Sequence, residues 1–347
     1  MFVDDYNYSQ FDITDTLKNN VYNKGYSKPT KIQYQSIPKI IEGKDILGLA
    51  NTGSGKTAAF LIPMINKISL DKDNKCLIVV PTRELALQIQ DEFKTLAKGT
   101  GLQSVLIIGG SSIRTQISIL QRDPEFVIAT PGRLKDLSDR GEIGLGIINN
   151  VILDEVDRML DMGFIDDIRY IVEKLDPERQ SLFFSATMNA KAESVARTLL
   201  KDPIKVQVET QAAGQNVDQD VVRLKKGETK YDVLKGIIKQ DEVKKVLVFT
   251  ATKREADRLC GKLQEEHVYS EALHGDKRQN QRTKIIRNFK EGRVDVLVAT
   301  DVAARGIDVK NITHVINYDM PQTYEDYIHR IGRTGRAGQK GFALTFV

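Results

Sequence analysis

The stretch that most constrains this chain is Ala50-Asn-Thr-Gly-Ser-Gly-Lys-Thr57, set between the apolar run Ile46 to Leu49 and the apolar-periodic segment Ala58 to Ile68. A buried strand, a glycine turn and a helix in that order make a cradle for phosphate. Gly53 and Gly55 allow backbone N–H groups to converge on anionic oxygens, with Thr52 ahead of them and Ser54 between them in the same loop. Lys56 adds a cation for the terminal phosphates, and the Thr57 hydroxyl is placed to ligate Mg²⁺. Ala50 occupies the position where the general pattern has its first glycine. Taken alone, the same residues also suit a glycine-rich turn that caps a helix.

The pattern around the cradle repeats. Apolar, β-rich runs at Ile46 to Leu49, Leu77 to Val80, Val105 to Ile108, Phe126 to Ala129, Val151 to Leu153, Leu182 to Phe184 and Ile204 to Val208 alternate with helical segments. Such alternation predicts parallel strands joined by helical crossovers. The pattern lapses over Gln211 to Asp220 and resumes at Val246 to Phe249, Ser270 to Leu273, Val294 to Ala299, Val315 to Tyr318 and Phe342 to Phe346. The expectation is an α/β chain of two similar units, 1–210 and 221–347, joined by a short linker at 211–220. Upstream of the cradle, Phe11, Leu17 and Val21 mark a weak helix, and a Pro-Thr turn opens another near Ile32. The end at Val347, directly after a strand pattern, suggests an excised core or a very short tail.

At 347 residues, 41% hydrophobic and 28% charged, the chain suits two globular domains. No apolar run approaches the roughly 18 to 20 residues that span a bilayer, and Asp4 and Asp5 argue against a signal peptide. Cys76 and Cys260 stand apart among apolar residues, which predicts core thiols in a reducing, cytoplasmic setting. The net charge of +4 is carried by the second half, which permits a polyanionic partner without requiring one.

Other blocks carry chemistry once the cradle is granted. Asp154-Glu155-Val156-Asp157 follows a buried strand and so falls at the carboxyl edge of the sheet, where one acid can serve Mg²⁺ and its neighbour can orient water. Without the cradle, an acidic helix cap is the better explanation, and the cradle reverses that preference. Pro81-Thr82-Arg83-Glu84-Leu85 and Thr130-Pro131-Gly132-Arg133 offer helix N-termini, hydroxyls and an arginine, groups that grip a phosphodiester backbone without reading bases. Ser185-Ala186-Thr187 also closes a strand and can bond the acidic turn. His329-Arg330-Ile331-Gly332-Arg333-Thr334-Gly335-Arg336 concentrates arginines between glycines, as a solvated basic loop or as fingers on a transferring phosphate, worth roughly 10³ to 10⁵ in rate.

In this order the blocks resemble the DEAD-box family of ATP-dependent RNA helicases, from Phe11 to Val347. The resemblance implies two tandem RecA-like domains, ATP and Mg²⁺ as cofactors, and RNA as a partner held by its backbone. It implies that Gln33, in the Gly25 to Gln33 element, reads adenine and that Phe11 stacks on it. Ala50 is usual within the family. Lys56, Asp154 and Glu155 would be catalytic, with Asp154 and Thr57 serving the metal.

Pro81, Thr82, Arg83, Gly110 of the Gly109-Gly110 pair, Thr130, Pro131, Gly132 and Arg133 would contact RNA. In the second domain Arg282, with Gln279, and Thr300 would do the same. Gly306 and Asp308 would approach the nucleotide, and Arg333 and Arg336 would be the fingers. Asp157, Ser185, Thr187 and His329 would couple the two ligands, and Val248 to Thr250 matches a further family element. Domain closure over ATP and RNA would separate strands locally, and hydrolysis would reopen the cleft.

Two residues depart from the family pattern. Lys31 replaces a proline at a helix start, where many residues are accepted. Val156 replaces the alanine of the family name and adds two methyl groups at a tight turn, where overpacking costs about 1 to 3 kcal/mol. Activity is expected to survive, weakened; a rotated Glu155 would instead leave a non-hydrolysing, ATP-gated RNA clamp. A DNA translocase of the same superfamily is the third reading, since only the 2′-OH separates the two nucleic acids.

Overall fold

The computed structural model describes residues 2–51, 53–208, 216–304, 307, 309–335 and 340–347. It divides into two compact units, residues 1–210 and 211–347.

In the first unit the strands are β1 (Ile46–Leu49), β2 (Cys76–Val79), β3 (Ser104–Ile107), β4 (Phe126–Ala129), β5 (Asn150–Leu153), β6 (Gln180–Ser185) and β7 (Ile204–Gln207). They form one sheet in the order β3-β4-β2-β5-β6-β1-β7, with every pairing parallel. Parallel strands need crossovers, supplied by α3 (Lys56–Leu70), α4 (Arg83–Leu96), α5 (Ile113–Leu120), α6 (Pro131–Asp139), α7 (Val156–Asp161), α8 (Ile165–Lys174) and α9 (Ala190–Leu199). Ahead of them stand α1 (Asp15–Asn23) and α2 (Lys31–Ile41).

Helices on both faces explain why the central strands read as unbroken apolar runs rather than alternations. One core packs Phe60, Phe93, Phe126 and Phe184 beneath α2, α3 and α4. The other packs Leu134, Val156, Met159, Ile168 and Phe183 on the opposite face.

The second unit holds β8 (Val217–Val222), β9 (Val246–Phe249), β10 (Ser270–Leu273), β11 (Val296–Ala299), β12 (His314–Asn317) and β13 (Gly341–Phe346), in the order β10-β11-β9-β12-β13-β8. All of its pairings are parallel too. Its helices are α10 (Lys230–Ile238), α11 (Lys253–Glu265), α12 (Gln279–Lys290), α13 (Asp301–Ala304) and α14 (Tyr324–Ile331).

The strand expectations hold to within a residue or two at their ends, and β8 is the addition. Residues 217–220, assigned from sequence to the linker, pair in register with Gly341 to Leu344 of β13. β8 lies at the sheet edge with Asp218, Gln219 and Asp220 exposed, so it lacks the apolar signature of the inner strands.

Candidate ATP and RNA site

Strand order sorts the motif loops by chemistry. β1, β6 and β5 are neighbours, so the cradle after β1, Ser185 to Thr187 at the end of β6 and the acidic turn after β5 share one half of the sheet's carboxyl edge. β2, β4 and β3 make the other half and deliver the loops at Pro81, Thr130 and Gly109-Gly110. Ligands of open parallel sheets bind at this edge.

In the cradle, the Lys56 ammonium donates to the Ala50 carbonyl at 2.8 Å, bridging the two ends of the loop. Lys56 and Ser54 are buried, and the Ser54 hydroxyl has no hydrogen-bond partner among the described residues. A buried orphan hydroxyl in a glycine turn fits a phosphate oxygen, since buried polar groups otherwise find partners. Gly55 sits at φ +95 with the Gln33 amide and Thr30 hydroxyl where a Cβ would go, at 2.6 and 2.9 Å.

Gln33 is held at both ends of its amide: one N–H donates to the Gly55 carbonyl at 3.0 Å, and its oxygen accepts from the Thr30 N–H at 2.8 Å and from the Tyr8 hydroxyl. The residue expected to read adenine therefore also braces the cradle. Phe11 is 3% exposed, its ring 5.1 Å from that of Tyr6 and 5.8 Å from that of Tyr8. Thr52 lies outside the described residues.

The acidic turn is stiff. Glu155 adopts φ 53, a left-handed conformation uncommon for a residue with a side chain, and its N–H donates to Asp154 Oδ1 at 2.9 Å. Burial pushes the Asp154 carboxyl up to about 6, reinforced by Glu155 and Asp157 and opposed by Lys56. A buried acid held above its ordinary range and facing a phosphate cradle suits a cation.

Among the described residues no cluster of three or more acids, cysteines or histidines could cage a metal alone. Mg²⁺ keeps waters and borrows phosphate oxygens, so one carboxylate and the Thr57 hydroxyl suffice for it.

Asp157 ties the turn to β6. Its Oδ2 accepts from the N–H groups of Ala186 and Thr187, at 3.1 and 2.8 Å, and from the Thr187 hydroxyl at 3.0 Å. Ser185 Oγ accepts from the Asp157 N–H at 3.2 Å, and the Ser185 carbonyl accepts from the Ala50 N–H at 3.0 Å. Of the coupling residues named from sequence, Asp157, Ser185 and Thr187 join the acidic turn to the end of β6, and Ser185 also bonds Ala50 of the cradle, whereas His329 lies on α14 of the second unit. Val156 is fully buried in the apolar core at the first position of α7.

On the other half of the edge, Thr82 caps α4 by accepting from the Leu85 N–H at 3.3 Å, while Pro131 begins α6. Pro81, Thr82, Thr130 and Pro131 are buried; Gly110 and Gly132 are exposed, and Arg83 and Arg133 are half-buried. Arg133 donates to the Ser111 carbonyl at 3.4 Å. The guanidinium of Arg83 lies where side chains at Gly109 and Gly110 would stand, so the glycine pair exists to seat it. Two helix N-termini and two arginines make a surface for phosphates.

In the second unit Arg282 is 7% exposed and donates to the His274 carbonyl at 3.2 Å. Thr300 follows β11, its N–H bonded to the Leu273 carbonyl, and Thr250 follows β9. The arginines of the last block separate by role. Arg330, 2% exposed, makes a two-pronged bond to Asp301 at 2.6 and 2.7 Å and also holds Asn317 and the Asp319 carbonyl. It is a structural pin.

Arg333 donates to the carbonyls of Ile307 at 2.9 Å and His329 at 3.3 Å. Gly306, Asp308 and Arg336 lie outside the described residues. Sequence reasoning missed Tyr8, whose bond to Gln33 spans 25 positions, and Arg158, the partner of Glu155. Only Arg158 had a signal, a basic residue three places after an acid at a helix start.

Comparison with known proteins agrees with this geometry. Residues 30–195 match the model of the DEAD/DEAH box helicase family, and residues 229–338 match that of the helicase conserved C-terminal domain. The ATP-dependent RNA helicase CshA of Listeria monocytogenes is 42% identical over 342 residues, covering 98% of this chain and 66% of that protein. The DEAD-box ATP-dependent RNA helicase RhpA of Helicobacter pylori is 41% identical over 341 residues, covering 98% and 69%. The chain thus spans about two thirds of the length of these curated relatives.

Dbp5 of S. cerevisiae, solved bound to RNA and ADP BeF3, superposes with a TM-score of 0.84 at 30% identity, covering 98% of this chain and 89% of that one. No helix among the described residues is long and apolar enough to cross a membrane. With two parallel-sheet α/β units, a phosphate cradle facing a paired-acid turn and relatives of this kind over nearly its full length, the chain belongs to the DEAD-box family of ATP-dependent RNA helicases.

Proposed function

We propose that the residues of this chain divide one RNA-gated ATP hydrolysis as follows. Lys56 and the N–H groups around Gly53 and Gly55 hold the β- and γ-phosphates, while Gln33 and Phe11 hold the adenine. Asp154 and Thr57 hold Mg²⁺, which would neutralise charge on the phosphates. Glu155 orients the attacking water, and Arg333, with Arg336, neutralises charge that develops on the transferring group. Arg83, Gly110, Thr130, Gly132, Arg133, Arg282 and Thr300 grip the RNA backbone, on which they confer no base preference.

RNA and ATP favour the same closed arrangement, so each raises the affinity for the other by linkage. A bent backbone path is incompatible with a duplex, which yields local strand separation, and hydrolysis releases the product. Cys76 and Cys260 are free, buried thiols, in keeping with work in the cytoplasm.

The observation that carries this reading is the sharing of one sheet edge by the nucleotide loops and the RNA loops, with Asp157 bonded across from the acidic turn to Thr187. The test is ATP turnover against RNA concentration. Single-stranded RNA should stimulate hydrolysis, and Lys56→Ala should abolish it. Equal turnover with and without RNA in the parent protein would overturn the proposal. Val156 packs into the apolar core while Glu155 is held by Arg158, which favours hydrolysis over the non-hydrolysing clamp.

A further inference from the structure

The Arg158 guanidinium donates through Nη1 to Glu155 Oε2 at 2.6 Å, and both side chains are almost wholly buried, 7% and 9% exposed. Its second amino nitrogen, Nη2, is buried with no hydrogen-bond partner among the described residues. The Arg158 N–H donates to Asp157 Oδ1 at 3.0 Å, and the other oxygen of that same carboxylate holds Ala186 and Thr187. We infer that Arg158 is a positioning residue for hydrolysis: it fixes the direction of the Glu155 carboxylate before ATP arrives and keeps a spare buried donor beside it. This rests on the proposed role of Glu155 as the residue that orients water.

A glutamate side chain has three rotatable bonds and gives up rotamer freedom when it is ordered. A charge-assisted bond inside a helix turn, made in advance, removes that ordering from the reaction. The left-handed backbone at Glu155 points its side chain in a direction an ordinary helical residue would not take, and Arg158 at the third position onward is the donor that meets it. The unpaired Nη2 suits an ordered water, since buried donors are seldom left unpaired. A bare structural ion pair explains the first bond but not the spare donor. The chain of contacts from Thr187 through Asp157 to Arg158 also brings the β6 loop within one residue of that bond.

The test compares Arg158→Met and Arg158→Lys with the parent in RNA-stimulated ATP turnover. RNA binding is measured alongside, in the presence of a non-hydrolysable ATP analogue. Arg158→Met should lower kcat at least about tenfold while KM for ATP and RNA affinity stay within about threefold, because misplacement by 1 Å can cost about 10²-fold in rate. Arg158→Lys should recover part of kcat. A kcat within about twofold of the parent in Arg158→Met overturns the inference. So does a parallel loss of kcat, KM and RNA affinity in which lysine is no better than methionine. If Arg158→Met does not fold, Arg158→Lys decides: kcat reduced about threefold or more at unchanged KM supports the inference, and any other result overturns it. A parent protein without RNA-stimulated turnover would instead strike the proposed function.

Discussion

Truncating Val156 to alanine separates packing from catalysis at the one motif position where this chain departs from the family name. Val156 is fully buried among apolar neighbours that include Met159 and Phe183. Removing two methyl groups forfeits about 0.8 kcal/mol each in transfer, and incomplete collapse of the space adds to that, for about 2 to 3 kcal/mol in total. The unit concerned spans residues 1–210. For a domain of that size each kcal/mol moves the midpoint by about 2 to 4 °C, so Val156→Ala should melt roughly 4 to 12 °C lower.

Differential scanning calorimetry of the full chain measures this, with the first-unit transition identified as the one that rises when nucleotide is added. The direction of Glu155 is set by its left-handed backbone and by Arg158, not by its neighbour's side chain. The kcat of Val156→Ala should therefore stay within about twofold of the parent. An unchanged or raised melting temperature would show that valine strains the turn. A severalfold gain in kcat would show that it had held Glu155 out of place.

Further expectations concern Asp154 and the glycine pair. Asp154 ionises near 6 in the folded chain against an ordinary value of 3.8. Between about pH 4 and 6 the folded state keeps a proton that the unfolded state has released, so stability falls as pH rises through that window, by roughly 3 kcal/mol, and stays lower above it. Asp154→Asn should therefore abolish turnover yet melt higher than the parent near neutral pH, with the difference vanishing near pH 4 in thermal melts; a less stable variant at neutral pH refutes the argument.

Gly110→Ala places a methyl group on the Arg83 guanidinium at a backbone φ of +76, which a side chain rarely adopts. It should weaken binding of single-stranded RNA, measured by fluorescence anisotropy, without altering ATP affinity in the absence of RNA. Unchanged RNA affinity would mean that Arg83 does not reach the RNA.

Much of the architecture was legible because it is local. Short apolar runs between helical stretches announce parallel strands buried on both faces, and motif residues directly after such runs must fall at the carboxyl edge. β8 escaped notice because an edge strand meets a core on few of its residues, and Val-Asp-Gln-Asp-Val-Val reads as linker until β13 supplies its partner. The cradle, the acidic turn and the arginine block were likewise visible as residue types at fixed spacing.

The sequence by itself therefore determined the fold class, the order of the motif loops and the chemical kind of each, since these depend on periodicity and on neighbours along the chain. Tertiary structure alone decided which side chains complete one another. It made Arg330 a pin on Asp301 and set Arg333 on the Ile307 carbonyl, although the two lie in one short basic block. It bonded Gln33 to Gly55 and Tyr8, and it seated Arg83 over Gly110. Strand order placed β6 between β5 and β1 and so brought Thr187 to Asp157. The physical reason is that hydrogen bonds and close packing act over a few ångströms of space, whereas the partners stand tens of residues apart along the chain.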